Sequence, residues 1–356
     1  MPPIRVLIVD DSAVIRRLLA DVLAADTEIA IVGAVGDGRL ALNAIPQLAP
    51  DLITLDVEMP GMDGIQTLVE IRKLNPRLPV IMFSTLTGPG AAKTVEALAR
   101  GASDYALKPS RAGSPEIARA SVRAELIPKI KALCAARGRR PVAASVLVAV
   151  SPNPPRRIDL VAIASSTGGP NALGELMPQL PGNFPVPIVV VQHMPASFTR
   201  LLAARLDTLT PLSVQEGKEG EVLEKGQVRI APGDYHMTVT RQGGKFALSV
   251  NQGPQENSVR PAADVLFRSA AHSAGENVLA VVMTGMGSDG TRGSVAIREA
   301  GGAVIVQDEA SSVVWGMPGS IVAANLADKV CPLNALGQEI LRRVIFRRNI
   351  ATAAHS

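Results

Sequence analysis

Apolar positions along this chain come in two patterns. Up to about residue 137, short β-branched runs at Ile4–Val9, Ile29–Val35, Asp51–Leu55, Val80–Phe83 and Asp104–Leu107 alternate with stretches of helical spacing. The helical stretches are Ala13–Ala24, with Ile15, Leu19 and Leu23 four apart, then Arg39–Leu48, Ile65–Leu74, Gly90–Arg100 and Pro115–Arg137. Five strands with intervening helices predict a parallel, doubly wound sheet. Beyond residue 158 the runs are continuous: the strand around Val161, then Val186–Val191 and Val278–Met283. Unbroken apolar runs belong to parallel strands buried on both faces. Shorter runs at Val222–Ile230, Tyr235–Val239 and Phe246–Val250, with turn residues such as Gly243-Gly244 between them, predict further strands, some antiparallel, added to this second sheet. Helices are expected at Asn171–Pro178, Ala196–Leu209, Pro261–Ala274 and Gly290–Ala300. The expected fold is therefore α/β, with two doubly wound parallel-sheet domains, the second Rossmann-like with added antiparallel strands.

Residues 138–157 interrupt both patterns with Arg139, Arg140, Pro141, Pro152, Pro154, Pro155, Arg156 and Arg157, which reads as a linker. The expected boundaries are 1–137, 138–157 and 158–356. A chain of 356 residues with 47% hydrophobic content supplies two cores. A net charge of +4 without a long Lys/Arg tract does not call for nucleic acid. Cys134 and Cys331, far apart and without metal-ligand spacing, argue against a disulfide framework or a zinc site and suit a reducing cytoplasm. There is no signal-type apolar region and no apolar run of about 18 residues. A soluble cytoplasmic protein without membrane insertion is expected.

In a doubly wound sheet, ligands bind where the strands end. Asp10 and Asp11 follow the first strand, Asp56 the third, Ser84 and Thr85 the fourth, and Lys108 the fifth. Clustered carboxylates repel one another unless a hard divalent cation such as Mg²⁺ neutralises them. Beside such a metal Asp56 is placed to attack a phosphoryl group, with Lys108 pairing its oxygens. Each acid taken alone also suits a turn or a helix cap.

These stretches, Val9-Asp-Asp-Ser, Leu55-Asp-Val-Glu-Met-Pro-Gly-Met-Asp-Gly, Phe83-Ser-Thr-Leu-Thr and Leu107-Lys-Pro, resemble the receiver domain of two-component response regulators across roughly residues 4–125. The resemblance implies phosphorylation of Asp56 by a histidine kinase. It places Asp11, Asp56 and the Glu58 backbone carbonyl on Mg²⁺ with Asp10 helping, and a switch built on Ser84, Tyr105 and Lys108.

In the second domain the strand around Val161 ends in Ala164-Ser-Ser-Thr-Gly-Gly-Pro, a tight turn entering a helix, the setting of an exposed nucleophile. Ser165, Ser166 and Thr167 compete for that role. The neighbouring runs end in Gln192-His193 and in Thr284-Gly-Met-Gly-Ser-Asp289-Gly, so Ser166, His193 and Asp289 come out on one rim. A serine needs a base, and the base an acid that fixes its tautomer. Of the four histidines, His355 lies in a polar tail, His272 in an alanine-rich helix, and His236 after a turn, suited to a contact near the site. His193 alone ends a buried strand. Asp289 also suits a helix cap, which is compatible with a role as the acid. Backbone N–H groups of Thr167 and Met286 are candidate oxyanion donors. The order Ser, His, Asp and the lack of Gly-x-Ser-x-Gly set the chain apart from α/β-hydrolases.

Together with Ala231-Pro-Gly-Asp-Tyr-His-Met, Arg260-Pro-Ala-Ala-Asp-Val-Leu-Phe and Gln307-Asp-Glu-Ala-Ser-Ser-Val-Val-Trp-Gly-Met-Pro, these stretches resemble the chemotaxis protein-glutamate methylesterase family, CheB. By position, the resemblance makes Ser166 the nucleophile, His193 the base and Asp289 the acid, with no cofactor in the esterase site. Ser165 beside the nucleophile departs from the alanine of many members. The implied activity is hydrolysis of glutamate methyl esters on methyl-accepting chemoreceptors, with methanol released and receptor glutamines deamidated. In that family the unphosphorylated receiver covers the cleft. The same chemistry on a non-receptor protein is the alternative. A DNA-binding regulator would need a helix-turn-helix and a basic face where an α/β pattern stands instead.

Overall fold

The structure, a computed structural model, describes residues 2–86, 88–109, 114–135 and 157–353, with 345–353 as backbone. The arginine- and proline-rich linker up to Arg156 and the tail carrying His355 lie outside the described residues. The chain divides into two compact units, Met1–Arg140 and Pro141–Ser356.

The first unit carries β1 (Ile4–Val9), α1 (Ala13–Ala24), β2 (Ile29–Val35), α2 (Gly38–Leu48), β3 (Leu52–Asp56), α3 (Gly64–Leu74), β4 (Val80–Ser84), α4 (Gly88–Ala99), β5 (Asp104–Leu107) and α5 (Pro115–Ala135). The strands are parallel in the order β2-β1-β3-β4-β5. Strand order reverses between β1 and β3, opening a crevice beyond their carboxyl ends. Helix starts are set locally: Ser12, Asp37 and Asp63 each accept a backbone N–H of the following turn, and Asp63 and Gln66 close a capping box.

The second unit is built on β6 (Leu160–Ser165), α6 (Gly169–Leu176), β7 (Ile188–Gln192), α7 (Ala196–Leu209), β8 (Ser213–Glu216), β9 (Gln227–Ile230), β10 (His236–Gln242), β11 (Lys245–Asn251) and α8 (Ala263–Ala274). There follow β12 (Val278–Val282), α9 (Thr291–Glu299), β13 (Ala303–Gln307), α10 (Gly316–Ala323), β14 (Lys329–Cys331) and α11 (Leu333–Ala353). Seven parallel strands run in the order β14-β13-β12-β6-β7-β9-β8. Central strands are fully buried, as their unbroken apolar runs require.

Two expectations change here. The antiparallel strands β10 and β11 form a hairpin of their own and do not extend the main sheet. Its turn is Gly243-Gly244, with φ of 56° and 82°, the left-handed pair that two-residue hairpins demand. The run Val222–Ile230 is not one strand. It is divided at Gly226, φ 72°, so that Val222 bridges Ala247 of the hairpin while β9 pairs parallel to β7. The hairpin lays Met237, Val239, Phe246 and Leu248 into a core shared with Leu266 and Phe267 of α8. Burial of this apolar area, at about 25 cal/mol per Å², holds the hairpin against α8.

Candidate active site

Register decides which side chains meet. β6 lies between β12 and β7, the point where the strand order reverses, with Ser165 opposite Gln192 and Val282 opposite Ala164. The residues that follow these three strand ends are Ser166, His193 and the loop Met283–Gly290. The amide of His193 donates to the Ser165 carbonyl at 3.2 Å and that of Ser166 to the Thr284 carbonyl at 3.0 Å, so hydrogen bonding continues past the strands and holds the rim.

Burial distinguishes the three hydroxyl residues. Ser165 is fully buried and its Oγ donates to Gln192 Oε1 at 2.7 Å. Thr167 is buried as well, and its carbonyl accepts the Thr284 hydroxyl at 2.9 Å. Ser166 is partly exposed on the rim. Gln192 also donates from Nε2 to the Ser166 carbonyl at 2.9 Å, bracing the turn from behind. Both glycines after Thr167 are needed. Gly168 has φ 78°, and a Cβ on Gly169 would overlap Gln192 Oε1 and crowd Ser165.

His193 Nε2 meets Asp289 Oδ2 at 2.8 Å. That leaves Nδ1 as the ring nitrogen for proton transfer, since an ionised carboxylate accepts and fixes the proton on Nε2. Asp289 is buried and also accepts the amides of Ala263 at 2.6 Å, Asp264 at 3.0 Å and Gly290 at 2.9 Å, and Asn257 Nδ2 at 2.8 Å. Burial pushes its pKa up, but the hydrogen bond from His193 and the Ala263 and Asp264 amides outweigh this and hold the carboxyl below its ordinary value. The cap expected of Asp289 is real but falls on another helix. It serves the N-terminus of α8, whereas α9 starts from Gly290 without a side-chain cap.

The Gly285–Met286 loop lies against Ser166: a Cβ on Gly285 would stand 2.9 Å from Ser166 Cβ. Its course is held by Gly285 donating to the Val314 carbonyl at 2.9 Å, by Gln307 Oε1 accepting the Thr284 amide at 2.8 Å, and by Trp315 Nε1 donating to the Gln307 carbonyl at 3.1 Å. These contacts give Gln307, Val314 and Trp315 of the Gln307–Pro318 stretch a role as supports of the loop. His236 is buried. Its Nδ1 accepts the Ala262 amide at 3.2 Å, and Nε2 faces the Pro254 carbonyl at 2.9 Å, which makes it a structural contact. His272 is exposed on α8. Sequence reasoning missed Gln192, Asn257, Asp264 and Thr284. Gln192 and Thr284 carried a positional signal, each the first polar residue closing a buried strand's apolar run, and Asp264 lay in a quoted stretch without a role assigned to it.

In the first unit, Asp10, Asp11 and Asp56 bring carboxylate oxygens within 4.8 Å of one another. Lys108 Nζ makes ion pairs with Asp10 Oδ2 at 2.9 Å and Asp56 Oδ2 at 2.7 Å. Burial, with the Asp10 charge adding to it, pushes the Asp56 pKa up to about 6 against the pull of Lys108. Burial works against the Lys108 charge, yet Asp56 and Asp10 hold its pKa above the ordinary value. Three carboxylates facing one ammonium leave an excess of negative charge on oxygen donors, a set that fits a hard divalent cation. Ser84 is buried and points to α4, where its Oγ accepts the Thr94 hydroxyl at 2.6 Å. Tyr105 is buried beneath Lys129, whose Nζ lies 4.8 Å from the ring centroid, and burial pushes its phenol pKa well up.

Among the described residues no helix is long and apolar enough to cross a membrane. A family model described as CheB methylesterase matches residues 161–340, and one described as response regulator receiver domain matches residues 6–116. A protein of Nocardioides sp. named protein-glutamate methylesterase/protein-glutamine glutaminase is 50% identical, over 98% of this chain and 97% of that protein. One of the same name from Trichodesmium erythraeum is 48% identical, over 97% and 100%. The crystal structure of the Thermotoga maritima CheB methylesterase catalytic domain matches with a TM-score of 0.51 at 43% identity, covering 52% of this chain and 98% of that one.

Proposed function

The chain belongs to the CheB methylesterase family and carries a response regulator receiver domain ahead of the esterase unit, and on that premise we propose that it is a phosphorylation-regulated protein-glutamate methylesterase and protein-glutamine glutaminase acting in chemotaxis. Its substrates are glutamate γ-methyl esters and glutamines of methyl-accepting chemoreceptors, its phosphodonor is the histidine kinase of the same signalling system, and it works in the cytoplasm.

The observation that carries the reading is the 2.8 Å contact of His193 with Asp289 at the rim where Ser166 follows the end of the neighbouring strand. Ser166 Oγ attacks the side-chain carbonyl while His193 Nδ1 takes its proton. Asp289 holds the ring tautomer and stabilises the imidazolium. The tetrahedral oxyanion faces the backbone N–H groups of Met286 and Thr167. His193 returns the proton to the departing methoxide oxygen, or to the amide nitrogen of a glutamine, which leaves as ammonia, and water then cleaves the acyl-enzyme by the same route in reverse. Placement on a rim suits a substrate that is itself a protein.

In the receiver, Asp11, Asp56 and the Glu58 carbonyl, with Asp10 behind them, would hold Mg²⁺. The metal supplies charge neutralisation for phosphoryl transfer to Asp56. Lys108 pairs the phosphoryl oxygens, while Ser84 and Tyr105 report its presence to α4 and β5. Methanol release from methylated receptor tests the assignment: it is expected from the wild type and lost in Ser166→Ala, and comparable release from the two would overturn it.

A further inference from the structure

Behind the proposed triad lies a second buried carboxylate. Asp264, in the first turn of α8, is 1% exposed, and Asp289 is 3% exposed. Asn257 stands between them, its Nδ2 donating to Asp264 Oδ2 at 2.9 Å and to Asp289 Oδ1 at 2.8 Å. Both amide protons are therefore used. Asp264 Oδ1 accepts the Gly293 amide at 2.6 Å, so one side chain joins the starts of α8 and α9 to the acid of the site. Asn257 holds φ 53°, a left-handed conformation that asparagine tolerates and branched residues do not.

We propose that Asn257 is a positioning residue for the esterase reaction: its amide separates two buried carboxylates, so that Asp289 presents a single fixed oxygen and a moderated negative charge to His193. This rests on the reading of Ser166, His193 and Asp289 as the catalytic set. The physical reason is lone-pair occupancy. Asp289 Oδ1 is filled by Asn257, Asp264 and Gly290, which leaves Oδ2, also held by the Ala263 amide, as the oxygen that faces the imidazole. Each donor spreads the charge that the imidazolium feels. Without the amide, Asp264 and Asp289 face each other unscreened, and a positive ring between Asp289 and the substrate becomes more favourable than the catalytic base can allow. Burial already pushes the Asp264 carboxyl up, with the Asp289 charge adding to it. The remaining charged and titratable groups around this pair are Glu256 in the Asn257 loop, Arg268 of α8, Arg292 of α9, and His236, whose ring holds the Ala262 amide.

The test uses the full chain and a synthetic peptide bearing a glutamate γ-methyl ester. Asn257→Gly removes the amide while keeping the left-handed backbone, and Asn257→Asp keeps the shape but replaces donors with acceptors. The acidic limb of the kcat/KM profile, where the base becomes protonated, is expected to move to higher pH in both. The displacement is about one pH unit in Asn257→Asp, a roughly tenfold loss on that limb, and is smaller in Asn257→Gly. NMR titration of the His193 ring reads the same displacement without turnover, and a purely structural role would lower rates evenly with the limb unmoved. A limb at the wild-type pH in either folded variant overturns the proposal. Ser166→Ala in the same assay separates the two ideas: an active Ser166→Ala protein removes the triad reading, whereas an inactive one together with an unmoved limb removes Asn257 alone.

Discussion

Ser165 and Ser166 are adjacent hydroxyls with opposite fates, and the difference is where β6 stops. Ser165 is the last strand residue, turned inward onto Gln192, while Ser166 begins the turn. Ser166→Ala is therefore expected to lower turnover on the order of 10³-fold or more. Ser165→Ala should keep most activity but cost about 1–2 kcal/mol, because the buried Gln192 Oε1 loses its donor. Methanol release and urea unfolding of both variants check this, and a Ser165→Ala protein as inactive as Ser166→Ala would reverse the assignment. Asp289→Asn changes an acceptor that fixes the His193 tautomer, so a fall in kcat of roughly 10²- to 10⁴-fold is expected. A rate equal to wild type would reduce Asp289 to the cap of α8.

Elements matter through how closely they approach. Gly169 opens α6 against the Gln192 side chain, whereas a Cβ on Gly174, in the same helix, would meet nothing nearer than Leu209 Cδ1 at 3.8 Å. Gly169→Ala is expected to destabilise the unit by about 1–3 kcal/mol and to impair turnover through the Ser166 turn. Gly174→Ala should stabilise by about 0.5–1 kcal/mol with activity intact. Thermal unfolding of the pair, alongside methanol release, reads both. In the receiver, β1 and β3 bring Asp10 and Asp56 together, and burial lifts the Asp56 pKa from 3.8 to about 6. The folded state then binds the proton that the unfolded state has released, so stability falls as pH rises through that window. The loss is up to about 3 kcal/mol. Asp56→Asn should flatten this dependence in the receiver's denaturation profile, and a wild-type slope in that variant would move its origin elsewhere.

At the scale of the whole molecule, we propose that the expected linker of about 20 residues is long enough to let the receiver restrain a protein substrate's access to the esterase unit. A restraint of this kind is reversible only if its two states differ by a few kcal/mol, which phosphorylation of Asp56 can supply. A fragment of residues 158–356 is expected to release methanol from methylated receptor faster than the unphosphorylated full chain. A small-molecule phosphodonor with Mg²⁺ should raise the rate of the full chain, and Asp56→Ala should abolish that rise. A fragment slower than the full chain would point to a receiver that assists the site.

What the amino-acid order by itself determined was the strand and helix alternation of both units and the residues at the strand ends. Buried parallel strands must be apolar throughout, and the polar residue that ends such a run is marked by contrast; Asp56, Ser166 and His193 all stand out in this way. The edge strands β8 and β14 went unread because they are short and half exposed, and carry no such contrast, whereas the buried β13 went unread although its apolar run carries it. The split at Gly226 was hidden because Val222 and Val228 look alike in sequence while pairing with different sheets. Tertiary structure alone decided that Ser165 is occupied, that Asp289 caps α8, and that Asn257 and Asp264 lie against Asp289. Those facts depend on which distant N–H groups a buried carboxylate or amide must satisfy, and that need arises only once the strands have packed and removed the water that would otherwise have met it.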